Sequence, residues 1–386
     1  MDQAGTTRAL TTLSPILPQR TRELTNRLRV VRYTPGISRP LLQLALIHYA
    51  RLMILDWLPP SEGNGGWRGL RWKYLLFESN YDGTHADYVR TFAEVLPARI
   101  LAMWSACFGF DTTVRAKGIP LASSGFQRFL ELNQLEVLEF YAAYPYATTL
   151  DVRQAILLQA ILAEASREAG GHDLARELTG ETATAALGPT SPPLTIRQRF
   201  SAVYDPWRRS LSGRYGVNPL TIITPLPHGL DETLREACAD RRLLEGLSET
   251  QTHFARLVIL PRHLTDLGQP DADMLDTPYL LFSSDAWGTA YDQIEAIRTK
   301  LGDSCDLIWG RCYGYPEDRG RNPEAFHAWV SSHMLPVRYY VAGYPPYPVN
   351  EIKRFVQERD RVAKTYARES YPSLVELLAE GGDDRG

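Results

Sequence analysis

The ten residues HYARLMILDW that begin at His48 return as HFARLVILPR beginning at His253. Displacing the chain by 205 positions aligns residues 48–110 with 253–315 without a gap, and 20 of the 63 pairs are identical. Unrelated segments of ordinary composition would share about 4. No other feature constrains the fold as tightly, because a unit written twice is a unit folded twice. Tyr74-Leu75-Leu76-Phe77 returns as Tyr279-Leu280-Leu281-Phe282, Gly83-Thr84 as Gly288-Thr289, and Asp87 as Asp292. Trp104, Cys107 and Gly109 return as Trp309, Cys312 and Gly314. A second block matches at an offset of 200, where GFQRFLELNQLEVLEFYAAYP from Gly125 pairs with AFHAWVSSHMLPVRYYVAGYP from Ala325. The five-residue change in offset falls between the blocks, as a loop deletion would.

Upstream, RLRVVRYTPG precedes the first copy and LTIITPLPHG the second. Each is a β-branched run closed by Pro and Gly, which predicts a strand and a turn. Helical stretches follow, ISRPLLQLAL in one half and GLDETLREACADRRLLEGL in the other. Each half then predicts strand, helix, strand, strand, helix, strand. In the second half these are LTIIT, the DETLREAC helix, HFARLVIL, YLLFSS, a helix from Thr289 to about Leu301, and DLIWGRCYG as a strand. That order is the split βαβ, or ferredoxin-like, unit. Each copy adds a further helix and an aromatic strand-like segment ending in Tyr-Pro, and two sheets with one apolar face each bury those faces together. The expected class is α+β, with two tandem ferredoxin-like βαββαβ repeats forming an intramolecular pseudo-dimeric α+β barrel. The HFAR…LLF.S…G pairing resembles the dimeric α+β barrel superfamily over roughly residues 26–157 and 218–357. The chain then divides into an N-terminal tail (1–25), repeat A (26–157), a helical linker or lid (158–217), repeat B (218–357), and a C-terminal helix with an acidic tail (358–386).

A net charge of −3 over 386 residues gives no electrostatic reason to expect nucleic acid or an anionic membrane surface. The four cysteines form neither a short-spaced metal quartet nor a disulfide scaffold, so a cytoplasmic location is expected. No signal peptide is expected at the N-terminus. The most apolar stretch, LLQLALIHYARLMILDWL, carries His48 and Arg51 near its middle and reads as a helix followed by a buried strand rather than a membrane span. The expected partner is a small-molecule substrate, and a homodimer stays open. HExxH, CxxC, a GxGxxG after a strand, GxxxxGK[ST] and GxSxG are all absent, which argues against zinc, nucleotide cofactors and a serine elbow.

The candidates for chemistry begin with the repeated pair His48 and His253, each opening a strand with Arg51 or Arg256 three residues on. Strand alternation predicts that His and Arg in each copy point to opposite sides of the sheet. One reading is a satisfied polar strand end; the other is an imidazole or guanidinium lining an interior cavity. Asp82 breaks the symmetry, since SNYDGT becomes SDAWGT and sets Asp82 against Trp287. An aspartate before Gly serves turn chemistry, and NYDGT also resembles the distal loop of dye-decolorising peroxidases, though without its leading glycine. His333 ends the helix AFHAWVSSH where the first copy has Asn133. WVSSHMLPVRYY resembles the segment of aldoxime dehydratases that carries the proximal heme histidine, which implies heme as cofactor and His333 as its ligand. A histidine at a helix C-terminus also needs no ligand to justify it. His327, six residues earlier, is expected on another, exposed face. Tyr141, Tyr144 and Tyr146 match a second group, Tyr339, Tyr340, Tyr344 and Tyr347, as packing corners or as walls for a planar ligand.

Three functions follow. One is a heme-dependent oxidoreductase or dehydratase-like lyase, with His333 proximal and Arg51, Arg256 or Asp82 distal. A second is a heme-free barrel enzyme, such as a cyclase, isomerase or cofactor-independent monooxygenase, with His48 or His253 as general base. The third is a non-catalytic binder of an apolar small molecule.

Overall fold

The computed structural model describes residues 2–33, 45–61, 68–114, 123–165, 216–240 and 242–368. The helix expected in ISRPLLQLAL, most of the 158–217 linker, His172 and the acidic tail lie outside the described residues. Two compact units emerge, one of residues 1–149 with 202–349 and one of 150–201 with 350–386. No described helix is long and apolar enough to cross a membrane.

The first unit holds two antiparallel sheets. One has the order β1-β2-β4-β3-β9, made of Gln3–Ala4 (β1), Thr7–Pro15 (β2), Arg68–Asp82 (β4), Ile47–Leu58 (β3) and Tyr339–Ala342 (β9). The other has the order β5-β7-β8-β6, made of Glu136–Ala142 (β5), Thr252–Leu260 (β7), Tyr279–Trp287 (β8) and Val217–Pro225 (β6). The last strand of each half is exchanged: β5 pairs with β7, and β9 pairs with β3. The residues leading into them stay at home. Leu13 N–H donates to Asn133 O and Leu135 N–H to Thr11 O, while Ile223 N–H donates to His333 O and Leu335 N–H to Thr221 O. Hydrogen bonds therefore run from sheet to sheet along both edges.

The residues the halves share serve local structure. Gly83 and Gly288 have φ of 84° and 119°, values that favour glycine. Thr84 and Thr289 follow as N-caps of helices α2 (His85–Val95) and α8 (Ala290–Leu301), each accepting from the Asp87 or Asp292 N–H at 3.1 Å. The repeated Phe and Trp meet edge to face on the helix side of each sheet. Phe77–Trp104 centroids lie 5.2 Å apart and Phe282–Trp309 centroids 5.3 Å. Each pair sits in its own apolar cluster.

Three expectations need correction. The strand expected over RLRVV is part of helix α1 (Thr21–Tyr33), where Leu24 and Leu28 are buried four residues apart. The first strand of repeat A is β2, inside the segment expected to be a tail. DLIWGRCYG is not a strand either, because Asp303–Trp309 is helix α9, burying Cys305, Ile308 and Trp309 at helical spacing. The equivalent helix in the first copy, α3 (Pro97–Trp104), buries Ile100, Met103 and Trp104 in the same way.

In the second unit, helices α6 (Thr149–Ala165) and α11 (Val349–Arg368) pack through Leu158, Leu162 and Val362. Gln159 donates to Glu358 at 2.6 Å and Arg359 pairs with Asp151 at 2.5 Å.

Candidate functional site

His48 and His253 do not follow simple strand alternation. The β3–β4 register slips between Ile47 and Tyr49, and the β7–β8 register between Thr252 and Phe254. Each histidine is therefore the extra residue of a β-bulge, and the bulge turns its side chain to the face its arginine occupies. The expectation of opposite faces is corrected by that one residue. Ala50, Leu52 and Ile54 join the helix-side core, while His48 and Arg51 both enter the space between the sheets.

The arginines form one tier of that interior, in atom-for-atom reciprocity. Arg51 Nη1 donates to Leu220 O (2.9 Å) and Thr221 Oγ1 (3.0 Å), and its Nη2 to Ser284 O (3.1 Å) and Asp285 Oδ1 (2.5 Å). Arg256 Nη1 donates to Leu10 O (2.7 Å) and Thr11 Oγ1 (3.0 Å), and its Nη2 to Ser79 O (3.1 Å) and Asn80 Oδ1. Each guanidinium thus clamps its own sheet to backbone of the other, and both are buried. Asn80 and Asp285, equivalent at offset 205, close the pair through Asn80 Nδ2 to Asp285 Oδ2 at 2.9 Å.

Charge is not shared equally. Arg51 has Asp285 and also Glu78 Oε2 at 3.5 Å, whereas Ser283 stands where a second Glu78 would. Burial works against the charge on Arg51, but Asp285 and Glu78 more than offset it and hold its pKa above the ordinary value. Arg256 is lowered by burial, with Glu78 too little to compensate and Arg51 adding repulsion. Burial likewise raises Asp285 against the pull of Arg51.

A second tier joins the two histidines. Asp82 Oδ1 lies 2.8 Å from His48 Nε2, His48 Nδ1 is 3.0 Å from the Tyr344 hydroxyl, and Tyr344 is 2.7 Å from the Tyr144 hydroxyl. Tyr144 is in turn 2.9 Å from His253 Nδ1. An ionised carboxylate only accepts hydrogen bonds, so Asp82 fixes the direction of the chain. His48 Nε2–H donates to Asp82, Tyr344 to His48 Nδ1, Tyr144 to Tyr344, and His253 Nδ1–H to Tyr144. Burial is the main cause that raises both phenols well above the usual tyrosine value, keeping them neutral donors. Tyr49 is buried beside them, its ring 5.5 Å from that of Tyr344 and its hydroxyl close to those of Tyr344 and Tyr144.

Asp82 is no exposed turn residue. It is buried at the end of β4, where Oδ2 also accepts the Thr149 N–H at 2.6 Å. In the other copy Gln251 Oε1 accepts the equivalent Val349 N–H at 2.8 Å, and Trp287 stands at the Asp82 position. The asymmetry extends to the walls. Tyr49 stacks on Tyr340 (5.9 Å), whose hydroxyl donates to Asp285 at 3.0 Å, while the equivalent pair is Phe254 on Phe140 (6.1 Å). At these two positions the first half carries Tyr49 and Asp82 where the second carries Phe254 and Trp287.

His333 lies apart from these tiers. Its Nδ1–H donates to the Trp329 carbonyl at 2.8 Å, closing helix α10 (Pro323–Ser332), as Asn133 donates to Phe129 O at 2.7 Å to close α5 (Ser123–Leu132). Both side chains take the carbonyl four residues back, so the two residues share a capping role. That bond leaves Nε2 with the lone pair of an axial ligand. The ring packs on Trp329 (5.0 Å). His327 is not exposed as expected: it is mostly buried, stacked on Tyr291 (4.2 Å) and 3.3 Å from Glu295.

No protein-family model and no curated protein matches the sequence. The site is read from its own geometry.

Of the expected site residues, Asp82, His48 and His253 meet in one chain and Arg51 and Arg256 in the neighbouring tier. Among the tyrosines, sequence reasoning placed Tyr144 and Tyr344 at matching corners without linking them to the histidines. Glu78, Asn80 and Asp285 were missed. Their signal was present in the aligned ESNYDGT and SSDAWGT, where Asn80 meets Asp285 and Glu78 meets Ser283.

Proposed function

We propose that the chain is an acid–base enzyme that needs no heme, built on two tandem ferredoxin-like repeats closing an α+β barrel. The strand exchange of β5 and β9 and the reciprocal arginine contacts support the architecture. The observation that carries the chemistry is the chain from His253 through Tyr144, Tyr344 and His48 to Asp82, flanked by the buried Tyr49 hydroxyl.

The reaction class is proton transfer on a small carbonyl compound, of the isomerase or cyclase type. Tyr49 donates to the substrate oxygen where negative charge develops on enolisation. Tyr344 passes its proton to His48 Nδ1 and receives the one the substrate gives up, and Asp82 holds the imidazolium that results. Neutral phenols suit this role because they donate hydrogen bonds at both ends of the transfer. Substrate reaches the cluster when the corners at Tyr144 and Tyr344 part, since the side chains of the chain are buried. The arginine tier belongs to the scaffold in this reading, because both copies keep it.

The test is deuterium incorporation from heavy water into a panel of enolisable ketones and aldehydes, followed by mass spectrometry. The parent is expected to catalyse exchange into at least one compound, and Tyr344→Phe and Asp82→Asn to lower that rate by about 10²–10⁴-fold. Exchange that both variants retain at parental rate refutes the assignment.

A further inference from the structure

A cavity of about 550 Å3 lies between helix α1 and the start of β4, away from the histidine chain. That volume is in the range of small-molecule sites. Its wall carries Arg22 and Arg29 from α1, and Arg71, Trp72 and Lys73 from β4. Arg22 and Arg29 are seven residues apart, which sets them on one face of the helix. Neither has an acidic partner among the described residues. Arg71 and Lys73 are paired, with Asp271 at 2.9 Å and Asp56 at 3.2 Å, but Arg71, Lys73 and Asp271 are exposed and Asp56 only half-buried. Exposed pairs of this kind exchange readily for a stronger ligand. The Trp72 indole is held in place, edge to face on Phe108 at 5.3 Å and donating Nε1–H to Asp271 O at 3.1 Å.

The other half shows that this wall is not a demand of the fold. Buried Leu24 and Leu28 correspond to buried Leu234 and Cys238, 210 positions on. In that register Arg22 becomes Glu232 and Arg29 becomes Ala239, while at offset 205 Arg71 becomes Asp276 and Lys73 becomes Pro278. The α1 segment carries four arginines against one glutamate; its counterpart, α7 (Leu230–Asp240), carries four acids against one arginine. The core was kept and the surface charge was reversed around one cleft.

We propose that this cleft is a binding site for an aromatic phosphomonoester, with Arg22 and Arg29 on the phosphate and Trp72 against the ring. Guanidinium groups take phosphate oxygens through paired, charge-assisted hydrogen bonds, and a fixed indole offers a flat face for stacking.

Calorimetric titration of the full-length protein with phenyl phosphate tests this, with inorganic phosphate and chloride at matched ionic strength beside it. Expected are saturable one-to-one binding of phenyl phosphate, weaker binding of inorganic phosphate, and none of chloride. Arg22→Gln and Arg29→Gln should each weaken binding about tenfold, whereas Arg128→Gln, an exposed arginine on α5, should leave it unchanged. Both test residues are exposed, so loss of fold is not the expected route to lost binding. Absence of saturable binding, or equal weakening by Arg128→Gln, overturns the site. Equal affinity for phenyl phosphate and inorganic phosphate overturns the role of Trp72.

Discussion

Exchanging the carboxylate and amide of the arginine tier tests whether the two halves are energetically equivalent. Asn80→Asp alone places two carboxylates 2.9 Å apart, the present separation of Asn80 Nδ2 and Asp285 Oδ2. At an effective dielectric constant near 20 their repulsion would reach about 6 kcal/mol, so one of them takes a proton instead. Holding protonated at pH 7 a group whose unfolded pKa is about 3.9 costs about 4 kcal/mol. The carboxylate introduced at position 80 also gains Arg256, which returns part of this and leaves a net loss of roughly 2–4 kcal/mol. Asp285→Asn alone removes the closest carboxylate partner of Arg51 and costs about 3–5 kcal/mol. In the double variant the introduced carboxylate meets Arg256 and the introduced amide meets Arg51, with the interior charge of the parent restored. It should lie within about 2 kcal/mol of the parent, so the coupling between the sites exceeds about 3 kcal/mol. Urea unfolding at pH 7 measures all four corners, provided the dependence on denaturant stays constant. A double variant destabilised by the sum of the two singles would refute the reciprocity of the tier.

Other outcomes follow from the same contacts. His333 is held below its ordinary pKa by burial, its bond to Trp329 opposing the shift only in part, so the stability it contributes is present above about pH 6.5 and lost as pH falls through the lower folded value. His333→Asn, the residue the other half uses, should preserve stability at pH 7 and flatten that acid-side loss in a pH series of unfolding curves. Thr289→Ala removes the N-cap of α8 and should cost about 1 kcal/mol, and Thr84→Ala at the equivalent cap of α2 should cost about the same. Hemin added to the protein should produce no Soret shift that depends on residue 333; a band present in the parent and lost in His333→Ala would restore a heme ligand there.

The duplication, the α+β class and the helix from Thr289 were legible because each depends on residues close in sequence. Gly83-Thr84…Asp87 and its copy are complete within five residues, and the Phe–Trp pairs repeat inside one half. RLRVV and DLIWGRCYG misled for a related reason: a short apolar run suits a strand or one face of a helix, and packing partners decide between them. At His333 the sequence could not show that Nδ1 closes a helix through the Trp329 carbonyl, because that contact depends on the ring's orientation.

By itself the sequence determined that one unit is written twice and that a helix starts at Thr289, because these rest on repetition and local pattern. Tertiary structure decided which residues share a site. One inserted residue in each of β3 and β7 reverses the face of a histidine, and the exchange of β5 and β9 brings Tyr144 and Tyr344, 200 positions apart, to 2.7 Å. Hydrogen bonds of that kind depend on strand register across two sheets. Register is set by the whole packed interior, not by the ten residues on either side.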